Sequence, residues 1–319
     1  MTKNAIRIIN QLHLDTDAER RRLVAGLRAA DASFEPKYFY DPLGCALYGA
    51  ICQLDEYYPT RTERAIFEAN RQTIADVIGR AGTFIDLGAG DCEKARAWLP
   101  YLGAKRYVAV DIAGPTVAGA LGNMAPDFPA VELIGLVTDF AHSLSIPAEL
   151  LSDKVTLFYP GSSIGNFAPA AATRFLAQMR DITAPSGGGL LIGVDSKKDK
   201  AKLDAAYDDA LGVTAAFNLN ALRHINRIIG ADFIIDQWQH RGYYNEAMGR
   251  IEMHLESSAD QTVHIDGVAR NFAKAEKIHS ENSYKYHRED FDALLREAGF
   301  TNIECWTDPA SAFWVFYAK

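Results

Sequence analysis

Apolar residues cluster in short runs separated by glycines and by helical patterns, and this rhythm fills the middle of the chain. Thr83, Phe84, Ile85 and Leu87 make one such run between Gly82 and Gly88. A short apolar run bounded by glycine predicts a buried parallel strand. Similar runs follow at 107–112, 131–138, 155–159 and 190–194, with helical patterns between them, including 169–183. Helices are also predicted over 17–30 and 62–80. Alternating strands and helices predict an α/β fold with a doubly wound, Rossmann-like parallel sheet. After Asp195 the rhythm changes to a long helical stretch over 198–229 and strand-like runs at 233–238, 250–257 and 262–265. These read as antiparallel. A helix at 288–299 and strands at 303–306 and 313–318 close the chain. The expected division is a sheet domain, 64–196 plus 287–319, and a second α+β lobe, 1–63 plus 197–286.

Composition removes several function classes. The 319 residues are 48% hydrophobic and 23% charged, ordinary for a soluble globular protein. A net charge of −8 and the absence of long basic runs argue against nucleic acid as a partner. No uninterrupted apolar stretch reaches the ~20 residues that span a bilayer, and the N-terminus has no apolar secretory core. The expectation is a cytoplasmic protein without a membrane partner, acting as a monomer. Cys45, Cys52, Cys92 and Cys305 show no metal-ligand spacing with each other or with the eight histidines, so no metal is expected. Cys92 lies beside a glycine turn with no histidine near it in sequence, which favours a buried thiol over a nucleophile.

The candidate chemistry sits at the ends of the first strands. Gly88 and Gly90 allow a sharp turn that brings backbone close to a ligand, and Asp91 is placed to cap the next helix. The G-x-G spacing lacks the third glycine of a dinucleotide fingerprint. Three acids follow in register: Asp86, then Asp111 about 20 residues after the turn, then Asp139 with Phe140. A carboxylate at Asp111 suits ribose hydroxyls. Asp139 and Phe140 suit an exocyclic amine and the face of an adenine. The turn also carries Asp91 and Glu93, which disfavours a pyrophosphate and favours a cationic, phosphate-free nucleoside. S-adenosylmethionine has that chemistry and is the expected cofactor. Ahead of the sheet, residues 36–63 hold Tyr38, Tyr40, Tyr48, Tyr57 and Tyr58, side chains that combine an apolar body with a polar tip.

The stretches PKYFYDPLG, DEYYPTRTE, DLGAGDCEK, TDF, GSSIGNF, AYDDALGVTAAFN, RIEMHLES and SENSYKY carry a more specific signal. Through them the chain resembles the histidine-specific Nα-methyltransferases of ergothioneine biosynthesis. Their relatives include the methyltransferase domain of ovothiol synthases and fungal N-methyltransferases of prenylated tryptophan. The resemblance implies that Tyr40, Gly88, Lys94, Asp111, Asp139 and Phe140 hold the cofactor. It implies that Tyr57, Gly161, Asn166, Tyr207, Met253, Glu281 and Ser283 line a histidine pocket. Asn166 and Tyr207 suit a carboxylate. Glu281 and Ser283, two apart on an extended segment, suit the two imidazole nitrogens. Tyr57 is the candidate to steer the amine during in-line transfer. The expected product is Nα,Nα,Nα-trimethylhistidine (hercynine), formed stepwise. The alternatives are N-methylation of another amino acid or amine such as a tryptophan derivative, a non-catalytic cofactor-binding subunit, and a nicotinamide dehydrogenase.

Overall fold

The computed structural model describes residues 6–12, 16–141 and 144–319. Thirteen strands among them are numbered in chain order. They are β1 (Arg7–Asn10), β2 (Thr83–Leu87), β3 (Arg106–Asp111), β4 (Glu132–Val137), β5 (Val155–Tyr159), β6 (Gly189–Asp195), β7 (Trp238–Asn245), β8 (Arg250–Ser257), β9 (Gln261–Ile265), β10 (Val268–Phe272), β11 (Lys277–Tyr284), β12 (Ile303–Thr307) and β13 (Phe313–Ala318). The chain divides into two compact units. The first is Met1–Leu12, Arg61–Ser196 and Tyr286–Lys319; the second is His13–Thr60 and Lys197–Lys285.

The first unit is built on an eight-stranded sheet in the order β1-β4-β3-β2-β5-β6-β13-β12. Strands β1 to β6 pair in parallel, and β13 and β12 add antiparallel at one edge. All five residues of β2 and all five of β5 are buried, as their apolar runs predict for central strands. Phe84 and Phe158, on these neighbours, stack with ring centroids 5.4 Å apart and no exposure. Truncating either to alanine would cost about 3–5 kcal/mol, the usual range for a filled aromatic site. The helix Tyr58–Ile78 adds Ile66, Phe67, Ile74 and Ile78 to this core. Strand order runs β2, β3, β4 to one side and then β5, β6 to the other. The reversal leaves a crevice beyond the carboxyl ends of β2 and β5, where ligands of such sheets bind.

Residues 6–12 depart from the expected division. β1 pairs with β4 in parallel, Arg7 opposite Ile134, so this segment extends the sheet and does not belong to the second lobe. Its four residues are mostly exposed, and such a short edge strand has no burial pattern to betray it.

The second unit contains a three-stranded antiparallel sheet, β11-β8-β7, and a two-stranded ribbon, β10-β9. Its core joins Leu23, Val24 and Leu27 of the helix Thr16–Arg28 to Phe217, Leu222 and Ile225 of the helix Val213–Ile229 and to Ile251, Met253 and Leu255 of β8. Two predicted elements differ here. The helical stretch 198–229 is two helices, Lys200–Tyr207 and Val213–Ile229. Asp209 makes the break by accepting from the amides of Val213 and Thr214 at 3.0 and 2.7 Å, capping the second helix. The strand expected at 233–238 begins only at Trp238. Phe233 is held instead by the side chain of Asn226, which donates to its carbonyl at 2.8 Å and accepts from its amide at 2.9 Å.

Candidate active site

In the first unit, β2 runs directly into the turn Gly88–Cys92. Gly88 (φ +75°) and Gly90 (φ +52°) adopt the left-handed backbone that glycine tolerates best. The amide of Gly90 donates to Asp111 Oδ2 at 3.0 Å, and the amide of Ala113 donates to Asp111 Oδ1 at 2.9 Å. Both carboxylate oxygens of Asp111 are thereby fixed, and each keeps lone-pair capacity for a ligand hydroxyl. Asp91 Oδ1 accepts from the amide of Glu93 at 3.1 Å, while the N-cap position itself falls to Cys92 at φ +61°. Cys92 is fully buried, and burial pushes its thiol up to about 12, which keeps it protonated and unreactive.

Asp86, one residue before the end of β2, is 2% exposed. Its Oδ2 accepts from Tyr107 Oη at 3.0 Å, and its Oδ1 is buried without a hydrogen-bond partner. Burial raises this carboxyl to about 7 against the Tyr107 bond. A buried carboxylate with an open oxygen beside a left-handed glycine turn fits a cationic ligand. Phe140, two residues after Thr138, approaches Gly88: a Cβ there would lie 3.7 Å from Phe140 Cζ. Its ring lies parallel to Phe175 (16°, 6.3 Å) and edge-on to Tyr159 at 6.1 Å. Asp139 precedes it and is half-buried.

A residue that pattern reasoning passed over ties this turn to the loop after β5. Glu63, 1% exposed, accepts from Lys94 Nζ at 2.7 Å through Oε2 and from the Gly161 amide at 2.7 Å through Oε1. Gly193 gives it room, since a Cβ there would meet Oε1 at 2.0 Å. Gly161 (φ +79°) and Ser162 (φ +60°) bend the loop, and Ser162 Oγ accepts from the amide of Asp195 at 2.9 Å. Asn166 ends the short 3-10 turn Ser163–Asn166 and is half-buried. The first unit thus brings together Gly88, Lys94, Asp111, Asp139, Phe140, Gly161 and Asn166 at the carboxyl ends of β2 to β5.

The second unit holds Tyr40, Tyr57, Tyr207, Met253, Glu281 and Ser283. Asp41 caps the helix Pro42–Ile51 by accepting from the Gly44 amide at 2.8 Å, and it also accepts from Asn220 and Arg227. That anchor places Tyr40 edge-on to Tyr48 and Phe217, both at 5.9 Å. Tyr48 meets Tyr57 at 6.5 Å, and Tyr57 meets Tyr207 at 6.0 Å, edge to face. Burial, followed by the neighbouring Cys52 for Tyr48 and by Tyr48 for Tyr57, raises both phenols well above their ordinary value. Both are neutral hydroxyls at any working pH. The Tyr48 side chain completes this aromatic group and carried no signal beyond the tyrosine-rich composition of its segment.

Glu281 and Ser283 reach the aromatic side through a bulge. His279 pairs with His254 on β8, but Glu281 pairs with Met253 and Ser283 with Ile251. The register shifts between His279 and Glu281, so the alternation of faces changes phase there. Glu281, Ser283 and Met253 then share one face of the sheet, opposite Glu252, His254 and His279. Ser280 Oγ donates to Met253 O at 3.0 Å and pins the bulge. Burial raises the Glu281 carboxyl to about 7, with Lys285 acting the other way. Tyr207 Oη donates to Ser283 Oγ at 3.0 Å. Among the described residues, no group of three or more His, Cys, Asp or Glu side chains could hold a metal ion, and no helix is long and apolar enough to cross a membrane.

Residues 19–319 match the family described as "Histidine-specific methyltransferase, SAM-dependent", SAM being S-adenosylmethionine. The chain is 38% identical over 317 residues to the histidine N-alpha-methyltransferase of Mycolicibacterium smegmatis, covering 96% of this chain and 97% of that one. It is 36% identical over 312 residues to the protein of the same name from Mycobacterium tuberculosis, covering 94% and 96%. The ergothioneine biosynthesis protein 1 of Neurospora crassa is 32% identical over 84% of this chain, which is 31% of that protein's length. A glycine turn flanked by anchored acids and an aromatic unit with a Glu–Ser pair on one sheet face are thus found in a chain that belongs to the SAM-dependent, histidine-specific methyltransferases.

Proposed function

We propose that the chain methylates the α-amine of L-histidine stepwise to Nα,Nα,Nα-trimethylhistidine, within ergothioneine biosynthesis. The observation that carries this reading is the pair Glu281 and Ser283 on the Met253 face: one half-buried acceptor and one buried hydroxyl, two apart on the strand, as the two nitrogens of an imidazole would need. On the donor side, Asp111 meets ribose hydroxyls, Asp139 and Phe140 take the adenine, Gly88 lets the backbone approach, and Lys94 meets a carboxylate. Bound there, S-adenosylmethionine supplies an electrophilic methyl group on a sulfonium. On the acceptor side, Glu281 accepts from an imidazole N–H, Met253 packs against the ring, and Tyr207 donates to the ligand or orders Ser283. Tyr57 stays a neutral phenol and holds the amine by accepting from its N–H, which keeps the nitrogen lone pair directed. No strong base is required, because positioning supplies much of the acceleration. The four cysteines, all free, support a reducing, cytoplasmic setting, and the chain is read as a monomer.

The test is mass spectrometry of products from purified protein, S-adenosylmethionine and each free amino acid. Histidine should gain up to three methyl groups. Transfer only to a different amino acid would redirect the substrate assignment, and no transfer to any would end the enzymatic reading.

A further inference from the structure

Lys285 follows β11 and is 1% exposed. Its Nζ donates to Ser283 Oγ at 2.9 Å and to Tyr207 Oη at 3.0 Å, and it lies 4.8 Å from the Tyr207 ring centroid. Tyr207 Oη donates to Ser283 Oγ at 3.0 Å, which closes a triangle of three polar groups. An ammonium is costly to bury. The nearby Glu281 carboxyl offsets part of that cost, and the protons of the triangle give the ammonium a further role.

A lysine ammonium has donors only, and a hydroxyl has one proton and two lone pairs. Ser283 Oγ accepts from both Lys285 and Tyr207, so both its lone pairs are in use. The more acidic phenol is the better donor of the two hydroxyls, which sets the direction of the Tyr207–Ser283 bond. The Ser283 proton is then the one hydroxyl proton that the triangle does not consume. Glu281, Ser283 and Lys285 follow at alternate positions, so the ammonium continues the same face of the extended segment.

We propose that Lys285 is a specificity-determining positioning residue: by filling the acceptor capacity of Ser283 it makes that hydroxyl an obligate donor. The pocket thereby selects a heteroaromatic ring that offers an unprotonated nitrogen to Ser283 and an N–H to Glu281. That ring is the neutral imidazole tautomer, and imidazolium is refused. This inference rests on histidine being the acceptor, as read above.

The test is a double-mutant cycle of Lys285→Met and Ser283→Ala, read as KM and kcat for histidine with calorimetry of S-adenosylmethionine as control. K285M should raise the histidine KM about tenfold, the loss of one well-ordered hydrogen bond. Its kcat and cofactor affinity should stay within about twofold. In the S283A background the same substitution should raise KM by clearly less than tenfold, because only its field on the Glu281 carboxyl remains. Should K285M fail to fold, Lys285→Gln, which keeps an N–H donor, runs the same cycle and should show a smaller rise in KM. An unchanged KM in a folded lysine variant, or losses that multiply in the double variant, would overturn the proposal. Wild-type protein that leaves histidine unmethylated overturns the functional reading itself, so the two failures are distinguishable.

Discussion

Glu63 and Lys94 form an ion pair of 2.7 Å in which the carboxylate is buried and the ammonium is partly exposed. The second carboxylate oxygen holds the Gly161 amide, so one side chain orders two loops at the carboxyl edge of the sheet. Removing Lys94 would strand a buried carboxylate, whereas removing the carboxylate leaves a partly exposed ammonium that water can solvate. Glu63→Gln keeps the shape and an acceptor for Gly161 but releases Lys94. We expect S-adenosylmethionine affinity to fall about tenfold, or ~1.4 kcal/mol, with the melting temperature little changed. Isothermal calorimetry and a thermal melt check both halves, and unaltered affinity would remove Lys94 from the donor site.

Asp86 is raised to about 7 by burial. An acid with a folded value above its unfolded one favours the folded state at low pH. That contribution is lost as pH rises from about 4 through 7. A cation placed beside the open Oδ1 reverses the preference and drives the proton off. Binding of S-adenosylmethionine near pH 7 should therefore release roughly half a proton, read from binding heats in buffers of different ionisation enthalpy. Asp86→Asn should abolish the difference between buffers. Release that persists in D86N would place the titrating group elsewhere.

Tyr57 is too strongly held as a phenol to act as phenolate. Tyr57→Phe should lower kcat for histidine by about tenfold and leave KM within a few-fold, the pattern of an interaction made in the transition state. The wild-type profile between pH 8 and about 10 should show no inflection that the phenylalanine variant lacks.

Glu281 also titrates near 7, and its ionised form is the one that accepts an imidazole N–H. Histidine ionises in the same range, so the informative quantity is the ratio of wild-type to Glu281→Gln in kcat/KM. That ratio should rise roughly tenfold between pH 6 and 8, as the fraction of ionised Glu281 grows. A flat ratio would mean the carboxylate does not read the ring.

The buried parallel strands were legible because β2, β5 and β6 are short, mostly apolar runs with glycine or proline at one or both ends. Asp111, Asp139 and Phe140 were legible for the same reason: strand ends fix where such side chains fall. Tyr207, Glu281 and Ser283 came from resemblance, since a phenol, an acid and a serine in polar segments have many bland explanations. Glu63 and Lys285 lie inside the quoted stretches DEYYPTRTE and SENSYKY but were given no role there. Each reads as a surface charge in its segment, and only the fold supplies the partners that justify burying it. β1 and β10 were silent because their exposed residues have no inward pattern, and β7 because Gly242 and His240 occupy inward positions where an apolar residue is expected.

The register shift in β11 has a signature in variation. Upstream of Ser280, Ile278 is fully buried opposite Leu255 and should tolerate only apolar replacements. Downstream, the matching parity falls on Glu281 and Ser283, where an apolar replacement keeps the fold and removes substrate. A deep mutational scan scored separately for abundance and for turnover should show the two readouts in step before residue 280 and out of step after it. Chains of this architecture that carry other residues at 281 and 283 could then change their metabolite with the scaffold intact, because the bulge confines that choice to one short edge of one strand.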